Sequence, residues 1–350
     1  MVKVIHIENG LGNQMACYAV YEAVKYAHPN DDIYIDTYIY DIKEANEVVS
    51  MWNGYELEKV FNVKLIDIRS LFNEKEIASQ IEYLKKSRFW ETGWNYDEVF
   101  VSMMRMYGLD LKIAYGNVGE DLEKDLSLHS RIRSIFRKYG SNAADSKMGY
   151  EIKRMIHIVN NKMSKDCGSY LIQRRDGNYF YNITLDFMKS PLLHQLIGEK
   201  VRDGLQFKEP TDRRNKECLE EVRLNNSVSM HVRRTDYLKF NQDCYRFGYF
   251  AKCTKYIRSH VENPVFYVFS DDINWCMHNC GEIGLKDTDR VRFIDINSGD
   301  KSYMDMQLMA NCRHNIATKS SFGWWASFLN NNPNKITCCQ TGAYVCTNQF

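Results

Sequence analysis

Val2-Lys3-Val4-Ile5-His6-Ile7, then Glu8-Asn9-Gly10-Leu11-Gly12-Asn13-Gln14-Met15, then Ile33-Tyr34-Ile35-Asp36: these opening stretches decide the fold. The first is an apolar run of strand length. The second is a glycine turn leading into a helical segment from about Gln14 to Ala27, and the third is another strand. Parallel strands cannot be joined by a tight hairpin, so strand, glycine turn, helix, strand predicts a parallel α/β unit.

Further along, residues 70–205 pattern mainly as helix, with charged amphipathic stretches at Asn73–Arg88, Asp121–Lys138 and Tyr150–Lys162. Thr211–Arg223 reads as a helical passage into a second unit. Beyond it the alternation becomes regular, with strands at Ser227–Met230, Val265–Phe269, Val291–Ile294, Asn315–Ala317 and Lys335–Cys338. Helices are expected between them, at Tyr249–His260, Asp272–Cys280, Tyr303–Ala310 and Ser321–Leu329. The nearly unbroken apolar run at 265–269 suits a strand covered on both faces. The expected architecture is α/β, with two Rossmann-like α/β domains facing across a cleft: 1–210 with helical insertions, and 211–350.

Composition narrows the function. Lys and Arg (46) nearly cancel Asp and Glu (45), so no net field draws in nucleic acid or an anionic membrane. No stretch of 18 apolar residues occurs, and the chain opens directly on a strand, so a cytoplasmic protein without a leader or transmembrane segment is expected. The 11 cysteines are odd in number and lack any C-x-x-C pair, which suits reduced, packed thiols. Cys276 and Cys280 flank His278 and hint at a metal, but no second ligand pair matches them, and packing is favoured. Asp287-Thr288-Asp289 has the D-x-D form used to hold a cation on diphosphate, yet it sits in a polar turn before a strand and reads as loop.

Two sites stand out. Gly12, Asn13 and Gln14 lie where a strand-to-helix loop can cradle phosphate, with Asp36 near the place of a ribose-binding acid. Met15 replaces the third glycine of the dinucleotide fingerprint, which weakens an NAD-dependent oxidoreductase as an alternative. A tight turn with Asn13 and Gln14 capping the helix explains the glycines equally well. The second site is His231-Val232-Arg233-Arg234-Thr235-Asp236, directly past an apolar strand. Paired guanidiniums at such a place suit phosphate, being forked donors that stay charged at every working pH. The bland alternative is an Arg234–Asp236 ion pair beside one exposed arginine.

The second site also carries a resemblance. His231 to Asp236 match the H-x-R-R-x-D motif of α-1,2, α-1,6 and related fucosyltransferases. Gly10 to Met15, Asn53-Gly54-Tyr55-Glu56-Leu57, Val268-Phe269-Ser270-Asp271-Asp272 with Trp275, Cys312 to Ile316, and Ser320-Ser321-Phe322-Gly323-Trp324-Trp325 follow in the same order. The chain thus resembles the bacterial α-1,2-fucosyltransferases, glycosyltransferase family eleven. The stretch from about 65 to 210 carries no matching block.

That resemblance implies a GT-B-like fold and inverting transfer of L-fucose from GDP-fucose to a hydroxyl, O2 in the family, of a terminal galactoside on a glycan. It implies an N-terminal acceptor-side domain and a C-terminal GDP-sugar-binding domain. It also implies Arg233 on the β-phosphate, Asp305 on guanine and no required metal or other cofactor. Ser320, Ser321 and Phe322 open an aromatic helix whose first N–H groups make an anion seat; an ordinary Ser cap above a core helix is the alternative. Asp305 equally suits a helix-start acid, and one of Asp271 and Asp272 a helix cap. Glu8, His231 and Asp236 are the candidate general bases, with none preferred. The partners expected are GDP-fucose and an oligosaccharide acceptor, with room for peripheral association with a membrane-linked glycan. The family usually has Phe-Gln at Ala16-Cys17, Asn at Lys319 and Ser at Gly323. A non-catalytic glycan-binding protein, suggested by 13% aromatic content and Trp324-Trp325, is the other alternative.

Overall fold

A computed structural model describes residues 1–48, 53–114, 151, 166, 168–183, 185–235, 238, 243–340, 346 and 348–349. They fall into two compact units, one drawn from Met1–Gly119 and Lys165–Lys208, the other from Glu120–Ser164 and Glu209–Phe350.

The first unit holds a four-stranded sheet of β1 (Val2–His6), β2 (Asp32–Asp36), β3 (Lys112–Ile113) and β4 (Tyr179–Tyr181), ordered β2-β1-β4-β3 and parallel throughout. The Leu11–Ala27 helix joins β1 to β2 and buries Met15, Ala16, Cys17, Ala19, Val20 and Val24. Ala16 and Cys17, where the chain departs from the resembled family, are therefore core residues. The Glu74–Ser87 helix starts at a full capping box, with the Asn73 side chain on the Lys75 and Glu76 amides and Glu76 reaching back. The strands β3 and β4 correct the expectation of a mainly helical middle. Tyr179-Phe180-Tyr181 is too short to show a period, yet Phe180 and Tyr181 are buried beside β1. The expected helices at 121–138 and 150–162 lie outside the described residues, apart from Glu151.

The second unit holds β5 (Ser227–Val232), β6 (Val265–Ser270), β7 (Arg290–Ile294), β8 (His314–Ala317), β9 (Thr337–Cys339) and β10 (Asn348–Gln349). Their order is β10-β9-β8-β5-β6-β7, again all parallel. Central β5 is buried at every position, whereas β7 at the edge alternates exposed and covered residues. Val228, Met230, Phe266 and Val268 form the core with Phe250 and Cys253 of the Tyr249–His260 helix, each large apolar side chain contributing roughly 1.5–3 kcal/mol by leaving water. Both units are thus Rossmann-like, as expected. No helix among the described residues is long and apolar enough to cross a membrane.

Candidate functional site

Strand β5 is where the second sheet changes direction. From it the chain runs outward through β6 and β7 on one side, then through β8, β9 and β10 on the other. Loops leaving β5 and β8 therefore diverge, and in open α/β sheets ligands occupy the crevice at the carboxyl ends of such a pair. His231 pairs in register with Ala317, so Arg233 and the 318–322 loop leave the sheet side by side.

The arginine pair divides its labour. Arg233 keeps 21% of its side chain exposed, with Nη1 3.2 Å from Asp271 Oδ2. Asp271 also accepts from the Arg234 amide (2.8 Å) and the Thr235 hydroxyl (2.5 Å). One carboxylate at the end of β6 thus shapes the loop after β5. The Tyr245 hydroxyl donates to the Arg233 carbonyl at 2.7 Å. Arg234 is the anchor: Nε lies 3.1 Å from Asp272 Oδ2, and its guanidinium sits 3.3 Å from the Trp275 ring centroid. Its carboxylate partner is Asp272, which also caps the Ile273–His278 helix through the Trp275 amide. Asp236 lies outside the described residues.

His231 belongs to the strand, two residues longer than expected, and is buried. Its Nδ1 is 3.1 Å from the Thr318 hydroxyl, and its ring stands 5.8 Å from that of Phe322. A Cβ at Gly323 would meet His231 Nδ1 at 2.6 Å, so only glycine admits this approach of helix to strand. Burial first, and then Arg233, push the His231 pKa down to about 4. The ring is neutral at pH 7 and acts here as packing between β5 and the next helix.

That helix, Ser321–Leu329, buries Trp324, Trp325 and Phe328. Ser320 is its N-cap residue, but its side chain makes no capping bond. The ordinary Ser cap is therefore not what the sequence builds here. Ser320, Ser321 and Phe322 are each half-buried at the end of β8. Asp305, in the first turn of the Tyr303–Asn311 helix, accepts from Asn297 Nδ2 at 2.7 Å. Asn297 also exchanges amide bonds with Asn215. Burial raises the Asp305 pKa to about 7, although Asn297 opposes the shift.

Within the first unit, the glycine loop differs from expectation. Gln14 is buried, and its amide donates to the carbonyls of Asn9 (2.9 Å) and Gly54 (2.8 Å) while accepting from the Glu56 amide (2.8 Å). Both N–H bonds are spent on backbone, so Gln14 is a staple between two loops and has no donor left for a nucleotide. Gly12 is buried in the first helical turn and Asn13 is half-buried, its amide on the Gly10 carbonyl. Asp36 is fully buried against His6, Tyr96 and the Tyr38 amide, so it is not a ribose ligand. The dehydrogenase alternative loses its acid. Of the other motifs, Asp289 is gripped by both Arg258 Nε and Nη2 (2.9 and 2.6 Å) and serves its loop. Cys276 is core, and Cys280 Sγ donates to the Cys276 carbonyl.

What sequence reasoning missed is the shared role of Asp271 and the ring platform of Trp275. The signal was present: a strand ending in Ser-Asp-Asp opposite a strand ending in Arg-Arg sets two anions beside two cations.

Residues 193–341 match the model of Glycosyl transferase family 11. The chain is 39% identical over 132 residues to an alpha-1,2-colitosyltransferase of Escherichia coli, covering 36% of this chain and 44% of that protein. It is 30% identical over 119 residues to the O-antigen biosynthesis glycosyltransferase WbnK of Escherichia coli (32% and 37% covered). It is 30% identical over 161 residues to galactoside 2-alpha-L-fucosyltransferase SEC1 of Bos taurus (43% and 39% covered). These matches span less than half the length of each curated relative. Among solved structures, NodZ alpha-1,6-fucosyltransferase soaked with GDP-fucose aligns over 100% of this chain and 99% of its own, at 13% identity and TM-score 0.45. The arginine loop and the serine-led helix both lie inside residues 193–341, the span that is similar to Glycosyl transferase family 11.

Proposed function

We propose that the protein is a metal-independent, inverting glycosyltransferase that moves L-fucose from GDP-fucose to a hydroxyl of a terminal galactoside. The observation that carries this is the carboxyl end of the paired strands β5 and β8, from which a partly exposed Arg233 and the uncapped start of the Ser321–Leu329 helix both leave, within the family-matched region. As the acceptor oxygen bonds to C1 of fucose, the bond from C1 to the β-phosphate oxygen breaks and its electron pair leaves with GDP. Arg233 and the N–H groups following Ser320 are the preorganised donors for that growing charge, and Asp305 is the carboxylate offered to guanine. Losing one such donor costs on the order of 10²–10³ in rate. Since Arg233 carries the charge itself, no cation is called for on the diphosphate.

The test is transfer from GDP-fucose to a panel of β-galactosides with EDTA present. Turnover that survives the chelator is expected, and Arg233→Lys is expected to be nearly as inactive as Arg233→Ala, since a fork becomes a point charge. Turnover that vanishes with EDTA and returns with a divalent cation would refute metal independence. The 39% identity to a colitosyltransferase supports a second reading, in which the donor sugar lacks the 3-hydroxyl of fucose. GDP-colitose in the same assay, turned over faster than GDP-fucose, would favour it.

A further inference from the structure

The second unit holds a polar network that phosphate recognition leaves unused. Asp212 and Asn215 open the Arg213–Leu224 helix, which precedes β5. Asn297 lies just past the carboxyl end of β7, and Asp305 is in the first turn of the Tyr303–Asn311 helix that follows. The two helices pack on each other, and all four residues belong to the second unit.

Asn215 and Asn297 face each other as a reciprocal amide pair. Asn215 Nδ2 donates to Asn297 Oδ1 at 2.8 Å, and Asn297 Nδ2 donates to Asn215 Oδ1 at 2.9 Å. Each amide nitrogen has a second hydrogen. That of Asn297 goes to Asp305 Oδ1 at 2.7 Å, and that of Asn215 to the Asp212 carboxylate at 3.1 and 3.0 Å, with Met304 Sδ also 3.1 Å from the same nitrogen. The two carboxylates fix both amides, because turning either amide over would set an oxygen against an oxygen. Asn215 is buried, and its backbone N–H donates to Asp212, first among the causes that hold that carboxyl below its ordinary pKa. The far end of the line is thus an ionised cap. The near end differs. Asp305 is half-buried, and among the described residues its carboxylate accepts from Asn297 alone, which leaves Oδ2 as the open end of the line. An acid placed only to complement the helix dipole would sit in water or accept from its own first turn. A carboxylate withdrawn from water with one partner is costly as structure, and such groups gather where a ligand completes them.

We propose that Asn297 and Asn215 are positioning residues for purine selection, the amide pair binding one oxygen of Asp305 so that the other meets the adjacent N–H donors on the N1 and 2-amino edge of guanine. This rests on the glycosyltransferase reading above, which offers Asp305 to guanine, and it names what makes that offer selective. An ionised carboxylate is acceptor only. Against adenine it would face the N1 lone pair and a C–H, so an acceptor would oppose an acceptor. A protonated Asp305 would donate instead and lose the preference for guanine. Burial is the larger influence and raises the Asp305 pKa to about 7, while the Asn297 donor favours the ionised form. The charged and titratable groups around Asp305 are Asp212 and Cys218 on the Arg213–Leu224 helix, Asp300 and Lys301 in the preceding turn, and Tyr303 on its own helix. The Ser321–Leu329 helix, packed against the same helix, carries none.

The experiment is calorimetric titration of wild type and Asn297→Ala with GDP and with ADP across pH 5.5–8.5. It is read as the ratio of the two Kd values, so that titration of the diphosphate, common to both nucleotides, cancels. Wild type should prefer GDP above about pH 7, and the preference should fall roughly tenfold per pH unit below that, as Asp305 takes up its proton. Asn297→Ala should cut the preference at pH 7 on the order of tenfold and begin its fall at higher pH, a displacement that a merely structural asparagine would not cause. Asn215→Ala, which frees the Asn297 amide to turn, should act in the same direction. Should Asn297→Ala fail to fold, Asn297→Asp keeps the size, sets an acceptor against Asp305 and should displace the fall further. A folded Asn297 variant with the wild-type ratio at every pH, or a wild-type preference for GDP that does not change with pH, would overturn the positioning role and leave GDP as the nucleotide. Equal affinity of wild type for GDP and ADP throughout would overturn Asp305 as the partner of guanine, and the amide pair with it. A wild type that binds neither nucleotide would instead overturn the glycosyltransferase reading.

Discussion

Two histidines at the ends of central strands carry opposite charges of environment, and stability should report both. His6 is buried, which disfavours its proton, but Asp36 and then Glu8 outweigh burial and raise its pKa to about 10. The protonated pair stabilises the fold fully below the unfolded value near 6.5, and this contribution is lost as pH rises from there through about 10. His231 has the reverse sign. Burial and Arg233 hold its pKa near 4, so its contribution is full above about 6.5 and is lost as pH falls through about 4. Thermal midpoints measured across pH 4–10 should therefore fall toward both ends. His6→Gln should flatten the alkaline side and His231→Asn the acid side, each relative to wild type; unchanged slopes would contradict these charge states. At this scale the sequence was half legible. Arg233 and Arg234 could be picked out because guanidinium is rarely buried unpaired, but which carboxylate held which arginine could not. Asp271 and Asp272 come from a strand 37 residues further on, and only the β5–β6 register brings them into reach.

At the scale of elements, the helix after β8 packs against β5 through Gly323 and His231. It approaches β5 closely because position 323 has no side chain, and a methyl there would press into the His231 ring. Gly323→Ala should cost about 1–3 kcal/mol of stability as helix and strand move apart. It should also weaken GDP binding, because the N–H groups after Ser320 move with the helix. A denaturant melt and a GDP titration check both; an unaltered melt would mean that the contact yields freely. Elements with a strong period could be read directly: the amphipathic stretch Asn73–Arg88 announced the Glu74–Ser87 helix, and the apolar run from Val265 announced β6. The strands β3, β4 and β10, of two or three residues each, could not, since a strand that short has no period and is defined by its neighbour.

For the whole molecule, two parallel sheets each reverse direction beside their first strand, and each gathers its polar groups at the carboxyl ends of its strands. Four of the six motif blocks matched in sequence lie in the second unit, inside the family-matched span, and the other two, Gly10–Met15 and Asn53–Leu57, lie in the first. The Asp36–His6 contact could not be read in that way, being assembled from β1 and β2 across 30 residues. A melting screen separates the functional classes: GDP at 100 times its Kd should add about 2.7 kcal/mol of stability, and NAD should add none. The central claim is that Arg233 receives the β-phosphate, and calorimetric titration of wild type and Arg233→Ala with GDP and GMP tests it most directly. A hydrogen bond to a charged group contributes about 1.5–3 kcal/mol, so Arg233→Ala should bind GDP on the order of 10–100-fold more weakly while its affinity for GMP stays that of wild type. Equal GDP affinity in a folded Arg233→Ala would contradict the account.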